Sequence, residues 1–146
     1  MNTFKWTIGF LFASLITAGI ISMIAYLDPI EGFVNRNLIY YGVYHLFFQM
    51  TTFSLFTFLS CYFVPQEKKY AGLLAILITL LCLAIGLYIG FTDKKDFHND
   101  VINIRFLINY TGVISGLLIG FYCSYELFKN KNWTTIKTQN NNIETY

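Results

Sequence analysis

Tyr70–Phe91 reads YAGLLAILITLLCLAIGLYIGF and contains no charged residue. A run of about 20 mostly apolar residues, coiled as a helix, crosses a bilayer core of about 30 Å. Three further runs, Trp6–Leu27, Leu38–Val64 and Val101–Phe128, have the same character. Lipid offers nothing to a stray backbone N–H or C=O, so each run is expected to be helical. A β-barrel would instead show alternating strands of about 10 residues. The expected fold is therefore all-α: an integral membrane antiparallel bundle of four transmembrane helices over residues 1–131. Residues 132–146 are expected to form a polar, disordered cytoplasmic tail.

Composition agrees with this reading. The chain has 146 residues, 55% hydrophobic and 12% charged, where a soluble domain carries about 25% charged residues. Four spans leave only short loops, so activity must use the membrane interior or its rims. The net charge of +2 comes with basic residues placed at the ends of the runs. That is the pattern of topology signals rather than of a nucleic-acid groove.

Trp6–Leu27 follows Lys5, but it exceeds a signal-peptide core of about 7–15 residues and no A-x-A site follows. It is expected to stay as the first helix. Lys5, Lys68, Lys69, Lys129, Lys131 and Lys137 fall on one side of the four-span arrangement. Arg36, Lys94 and Lys95 fall on the other, with Arg105 just inside the fourth span. Basic residues favour the cytoplasm, so both termini are expected to be cytoplasmic, in a bacterial inner (plasma) membrane.

The loops carry local signals. Asp28-Pro29-Ile30-Glu31 matches a capping box with Pro at the first helical position. Pro65 marks the end of the second helix because it lacks an amide hydrogen. Asn99 or Asp100 is placed to cap the fourth.

Small residues recur at helical spacing. The fourth run has Gly112, Gly116 and Gly120, followed by Ser124, all on one face. The third has Gly72, Ala75, Thr79, Cys82 and Gly86, and the first has Ser14, Ala18 and Ser22. Such faces let membrane helices approach closely. They are expected to pack against protein, either within one chain or between copies.

One polar constellation stands out. Tyr41, His45, Gln49 and Thr52 share a face of the second run, and Arg105 and Asn109 lead into the glycine face of the fourth. Both helices enter from the same side, so these groups are expected at similar depth, with Arg105 turned toward His45 or Gln49. An ionisable residue within a span is a functional candidate. The plainer reading is that Arg105 snorkels to the headgroups and that His45 and Gln49 hydrogen-bond a neighbouring helix.

Other chemistry has less support. Asp28, Glu31, Asp93, Asp96, His98 and Asp100 gather at one rim but show no metal-ligand spacing, so no metal is expected. Cys61, Cys82 and Cys123 form no C-x-x-C pair and read as small packing residues. His45 and His98 are the sole histidines, and His98 lies in a loop, which argues against a bis-histidine haem. No cofactor is expected. Asn132-Trp133-Thr134 matches a glycosylation acceptor but falls on the cytoplasmic side. Glu126 is expected to pair with Lys129. No span carries a central carboxylate of the kind a proton-coupled exporter needs. No serine or threonine has an identifiable base partner.

The functional expectation is a non-enzymatic membrane protein acting through helix–helix association with partner subunits or itself. The alternative is a small transporter, channel or lipid-binding protein using the Tyr41–His45–Gln49–Thr52 and Arg105–Asn109 pocket. Expected partners are the lipid bilayer and another membrane protein or a second copy, and no nucleic acid.

Overall fold

The structure, a computed structural model, describes residues 3–27, 37–92, 100–130 and 133. Its elements are α1 (Thr3–Leu27), α2 (Leu38–Phe63), α3 (Lys68–Thr92) and α4 (Asp100–Phe128). All four are long and apolar enough to cross a membrane. The Asp28–Glu31 cap and the rim residues Asp93, Asp96 and His98 lie outside the described residues.

Local chemistry sets the visible ends. Asn37 caps α2: its side-chain oxygen accepts from the Ile39 amide at 2.9 Å. This satisfies one of the orphan donors of the first turn. Extended Val64 caps α2, Pro65 follows it, and Glu67 takes a left-handed φ of 57° before α3 begins. Within the helices, Ser14, Thr17, Thr57, Ser60, Thr79 and Ser124 donate to carbonyls four residues earlier. These hydroxyls are thereby satisfied without water.

α2 is the hub, touching α1, α3 and above all α4. Contacts between α2 and α4 advance together along both helices: Leu46 and Gln49 lie against Gly112, Met50 against Gly116 and Ser54 against Gly120. Contacts between α3 and α4 run in opposite order, Gly72 against Phe121 and Tyr110 against Leu83. Those between α1 and α2 also run in opposite order, with Gly9 at Phe63 and Thr17 beside Thr52 and Phe53.

The buried core is concentrated at the Pro65–Glu67 turn end. Phe10, Val64, Ala71 and Ala75 form one cluster, packed by Trp6, Phe56 and Leu74. Cys61, Phe128 and Trp133 form another with Phe58 and Phe121. Elsewhere long apolar side chains point outward, among them Leu15, Leu77, Leu81, Ile85, Leu107 and Leu118. A soluble monomer rarely exposes such continuous apolar surface.

Candidate functional site

The α2–α4 seam organises the molecule. A methyl added at Gly112 would stand 2.9 Å from both the Leu46 carbonyl oxygen and the Gln49 Cβ. At Gly116 it would collide with the Met50 carbonyl, and at Gly120 with that of Ser54. The absence of a side chain is thus what allows the two backbones to touch. Gly72 of α3 is covered by side chains instead, the Phe121 ring and the Cys61 sulfur, and Ala75 is fully buried. Gly86 is exposed, with the Tyr110 hydroxyl 3.7 Å from an added methyl. The α3 stripe therefore packs at the turn end and opens toward the other end, where Cys82 is also exposed.

Two readings change. On α1 the buried register is Gly9, Phe10, Ala13 and Thr17, one residue earlier than Ser14, Ala18 and Ser22. The reason is Gly9, where an added methyl would stand 2.6 Å from the Phe63 carbonyl oxygen. With that point docked, Ser14 and Ala18 line the edge of the α1–α2 groove and Ser22 is exposed. Second, Cys82 and Cys123 are exposed and only Cys61 is buried.

The close α2–α4 approach opens a cleft of about 390 Å³ beside it, walled by Met50, Thr51, Ser54, Leu55, Phe58, Ile119 and Cys123. Glycine brings the backbones together, while the bulky Met50, Phe58 and Ile119 stand aside. A smaller groove of about 200 Å³ lies between α1 and α2.

At the end away from the turn, four of the six polar candidates meet. The Arg105 guanidinium lies 4.5 Å over the Tyr41 ring. Asn109 donates to the Tyr41 hydroxyl at 3.2 Å, and the Tyr41 and His45 rings stand 4.1 Å apart. Gln49 lies one level deeper, at Gly112. Thr52 does not join them; it is buried beside Thr17 in the α1–α2 groove. Eleven residues on from Tyr41, Thr52 keeps nearly the same angle about the α2 axis but stands about 16 Å farther along it, where α1 packs. Arg105 is half-buried, and it meets Tyr41 through the face of the ring.

A feature with only weak sequence signal lies at the turn end. Lys68 is 7% exposed. Its Nζ donates to the carbonyls of Cys61 at 2.8 Å, Tyr62 at 3.0 Å and Val64 at 2.7 Å. It also stands 4.4 Å from the centre of the Phe128 ring. One lysine thus satisfies the last carbonyls of α2 and holds α4 against them. Trp133, placed by sequence in the polar tail, is buried; its ring packs edgewise on Phe121 and Tyr125. Its carbonyl accepts from the Lys69 amide at 3.3 Å. Outside the spans, Lys129 donates to Glu126 at 2.5 Å, and this hydrogen bond raises the lysine pKa. Among the described residues no three His, Cys, Asp or Glu side chains gather as a metal site.

Comparison with protein-family models, curated proteins and solved structures finds no match.

Proposed function

We propose that the chain is a non-enzymatic, multi-pass membrane protein that docks the helix of a partner subunit, or of a second copy, along its α2–α4 seam. The observation carrying this reading is the cleft of about 390 Å³ beside the glycine contacts. Thr51, Ser54 and Cys123 give it small polar side chains in an otherwise apolar wall. Small residues are what membrane helices use to approach one another, because lipid supplies no hydrophobic drive for association. The opposed contact orders along α1–α2 and α3–α4 support an antiparallel up-and-down bundle. Exposed Lys5, Lys69 and Lys129 gather at the turn end, which supports a cytoplasmic position for that end and for both termini. The reading keeps a bacterial inner membrane as its setting.

The alternative is binding of a lipid or small ligand, favoured by the assembly of Tyr41, His45, Arg105 and Asn109. One experiment separates the two. A benzophenone amino acid at Ile119, inside the cleft, is activated in native membranes, with Leu77 on the outer face of α3 as control. A discrete protein adduct from position 119 alone supports helix docking. Lipid adducts alone from both positions remove the docking reading.

A further inference from the structure

We infer that exposed tyrosines form two rings that mark the headgroup levels of a phospholipid bilayer and set the depth at which the bundle sits. The inference rests on the membrane reading above. It starts from a pattern in exposure: Tyr40, Tyr62, Tyr70, Tyr88, Tyr122 and Tyr125 are the exposed tyrosines among the described residues. None lies midway along its helix. The large exposed side chains between them are Leu, Ile, Val and Phe, such as Val43, Phe47, Leu77, Leu81 and Ile114, joined by the small Thr51, Cys82, Ala84, Gly86 and Thr111. Tyr110, farther inside α4, is half-buried and donates to the Leu83 carbonyl at 3.2 Å.

Packing contacts show that the exposed tyrosines fall on two levels. At the turn end, Gly72 lies against Cys61 and Phe121. Tyr62, Tyr70 and Tyr122 sit within two residues of these contacts, and Tyr125 one turn farther out. At the other end, Tyr41 meets Asn109 and Arg105, and Leu83 meets Tyr110. Following those registers outward brings Tyr40 and Tyr88 level with Arg105, within about one turn. Residues on different helices thus reach the same height.

The spacing fits one kind of partner. Tyr70 and Tyr88 are separated along α3 by about 27 Å, and Tyr40 and Tyr62 along α2 by about 33 Å, at a rise of about 1.5 Å per residue. These values bracket a hydrocarbon core of about 30 Å. Tyrosine favours that boundary because its ring is apolar and its hydroxyl needs water or a headgroup acceptor. Lys5, Lys69 and Lys129 lie at or beyond the turn-end ring, where a cationic head reaches the aqueous side. Arg105 belongs to the opposite ring, so its charge stands at headgroup depth rather than at the bilayer centre.

The test measures depth in vesicles of dioleoylphosphatidylcholine. A nitroxide on native Cys82 is compared with nitroxides on Tyr70→Cys and Tyr88→Cys, the latter two in a Cys82→Ala background. Exposed Cys123 is replaced by alanine throughout, and Cys61 stays because it is buried. Relative collision with oxygen and with a nickel chelate should place position 82 deeper than position 88 by about 9 Å. Positions 70 and 88 should read as interfacial, on opposite leaflets. A second readout uses the unlabelled chain: its thermal midpoint should peak in dioleoyl vesicles and fall in dimyristoleoyl and dierucoyl ones. Deep labels at 70 or 88, with position 82 also deep, or a midpoint indifferent to thickness, overturn the rings and leave the membrane reading standing. Aqueous labels at all three positions overturn both.

Discussion

Lys68 illustrates how a single side chain closes a helix end. The last carbonyls of α2 lack intrahelical donors, and the buried Nζ supplies three charged hydrogen bonds to them. Removing the donor leaves buried acceptors unsatisfied, at a cost of about 1–3 kcal/mol. Lys68→Met is therefore expected to lower the thermal midpoint in mild detergent. Lys69→Met, at an exposed neighbouring site, should stay within about 0.5 kcal/mol of the parent. Equal midpoints for the two variants would remove the capping role. In the sequence, Lys68 and Lys69 read alike as topology signals. Nothing in their order tells which one folds back, because that depends on the turn through Pro65 and Glu67.

Among the elements, the α2–α4 pair shows why glycine position matters more than glycine number. Gly112, Gly116 and Gly120 face the α2 backbone, whereas Gly19 of α1 has nothing within 4 Å of an added methyl. Gly116→Ala should lower the detergent midpoint, because the Met50 carbonyl cannot move without shifting α2. Gly19→Ala should match or exceed the parent, since alanine is the better helix former by up to about 1 kcal/mol. The off-face change Leu118→Ile serves as a conservative control. Equal responses of the two glycine variants would mean that the seam is not closely packed. The α4 stripe was legible from its four-residue spacing. On α1 the sequence does not separate two registers, because Gly9–Ala13–Thr17 and Ser14–Ala18–Ser22 are equally small. Only the Phe63 carbonyl against Gly9 selects between them.

For the whole molecule, exposed apolar side chains along four helices leave a bilayer as the fitting surround. Thr3→Cys should react with an impermeant maleimide only after cells are permeabilised, and Asp96→Cys in intact cells, in a background lacking Cys82 and Cys123. Labelling of position 3 but not of position 96 in intact cells would reverse the orientation drawn from the lysines. At this scale the glycine face bears differently on function than its sequence spacing suggested. Its glycines are spent within the chain, so association with a partner falls to the cleft beside them rather than to the glycines themselves.

Span length, the lack of charge in Tyr70–Phe91 and the need to satisfy backbone groups internally determine four long apolar helices without any coordinates. The same local rules put Arg105, Asn109 and the glycines on one helix face. Tertiary structure alone decided that α2 is the hub, that Thr52 turns to α1 while Tyr41 receives Arg105, and that Trp133 folds back onto α4. The physical reason is that helix periodicity gives angles about one axis. Which face meets which neighbour depends on where two backbones can approach. That depends on pairs of positions on different helices, such as Gly9 with Phe63 and Gly116 with Met50, and no single stretch of sequence contains both members.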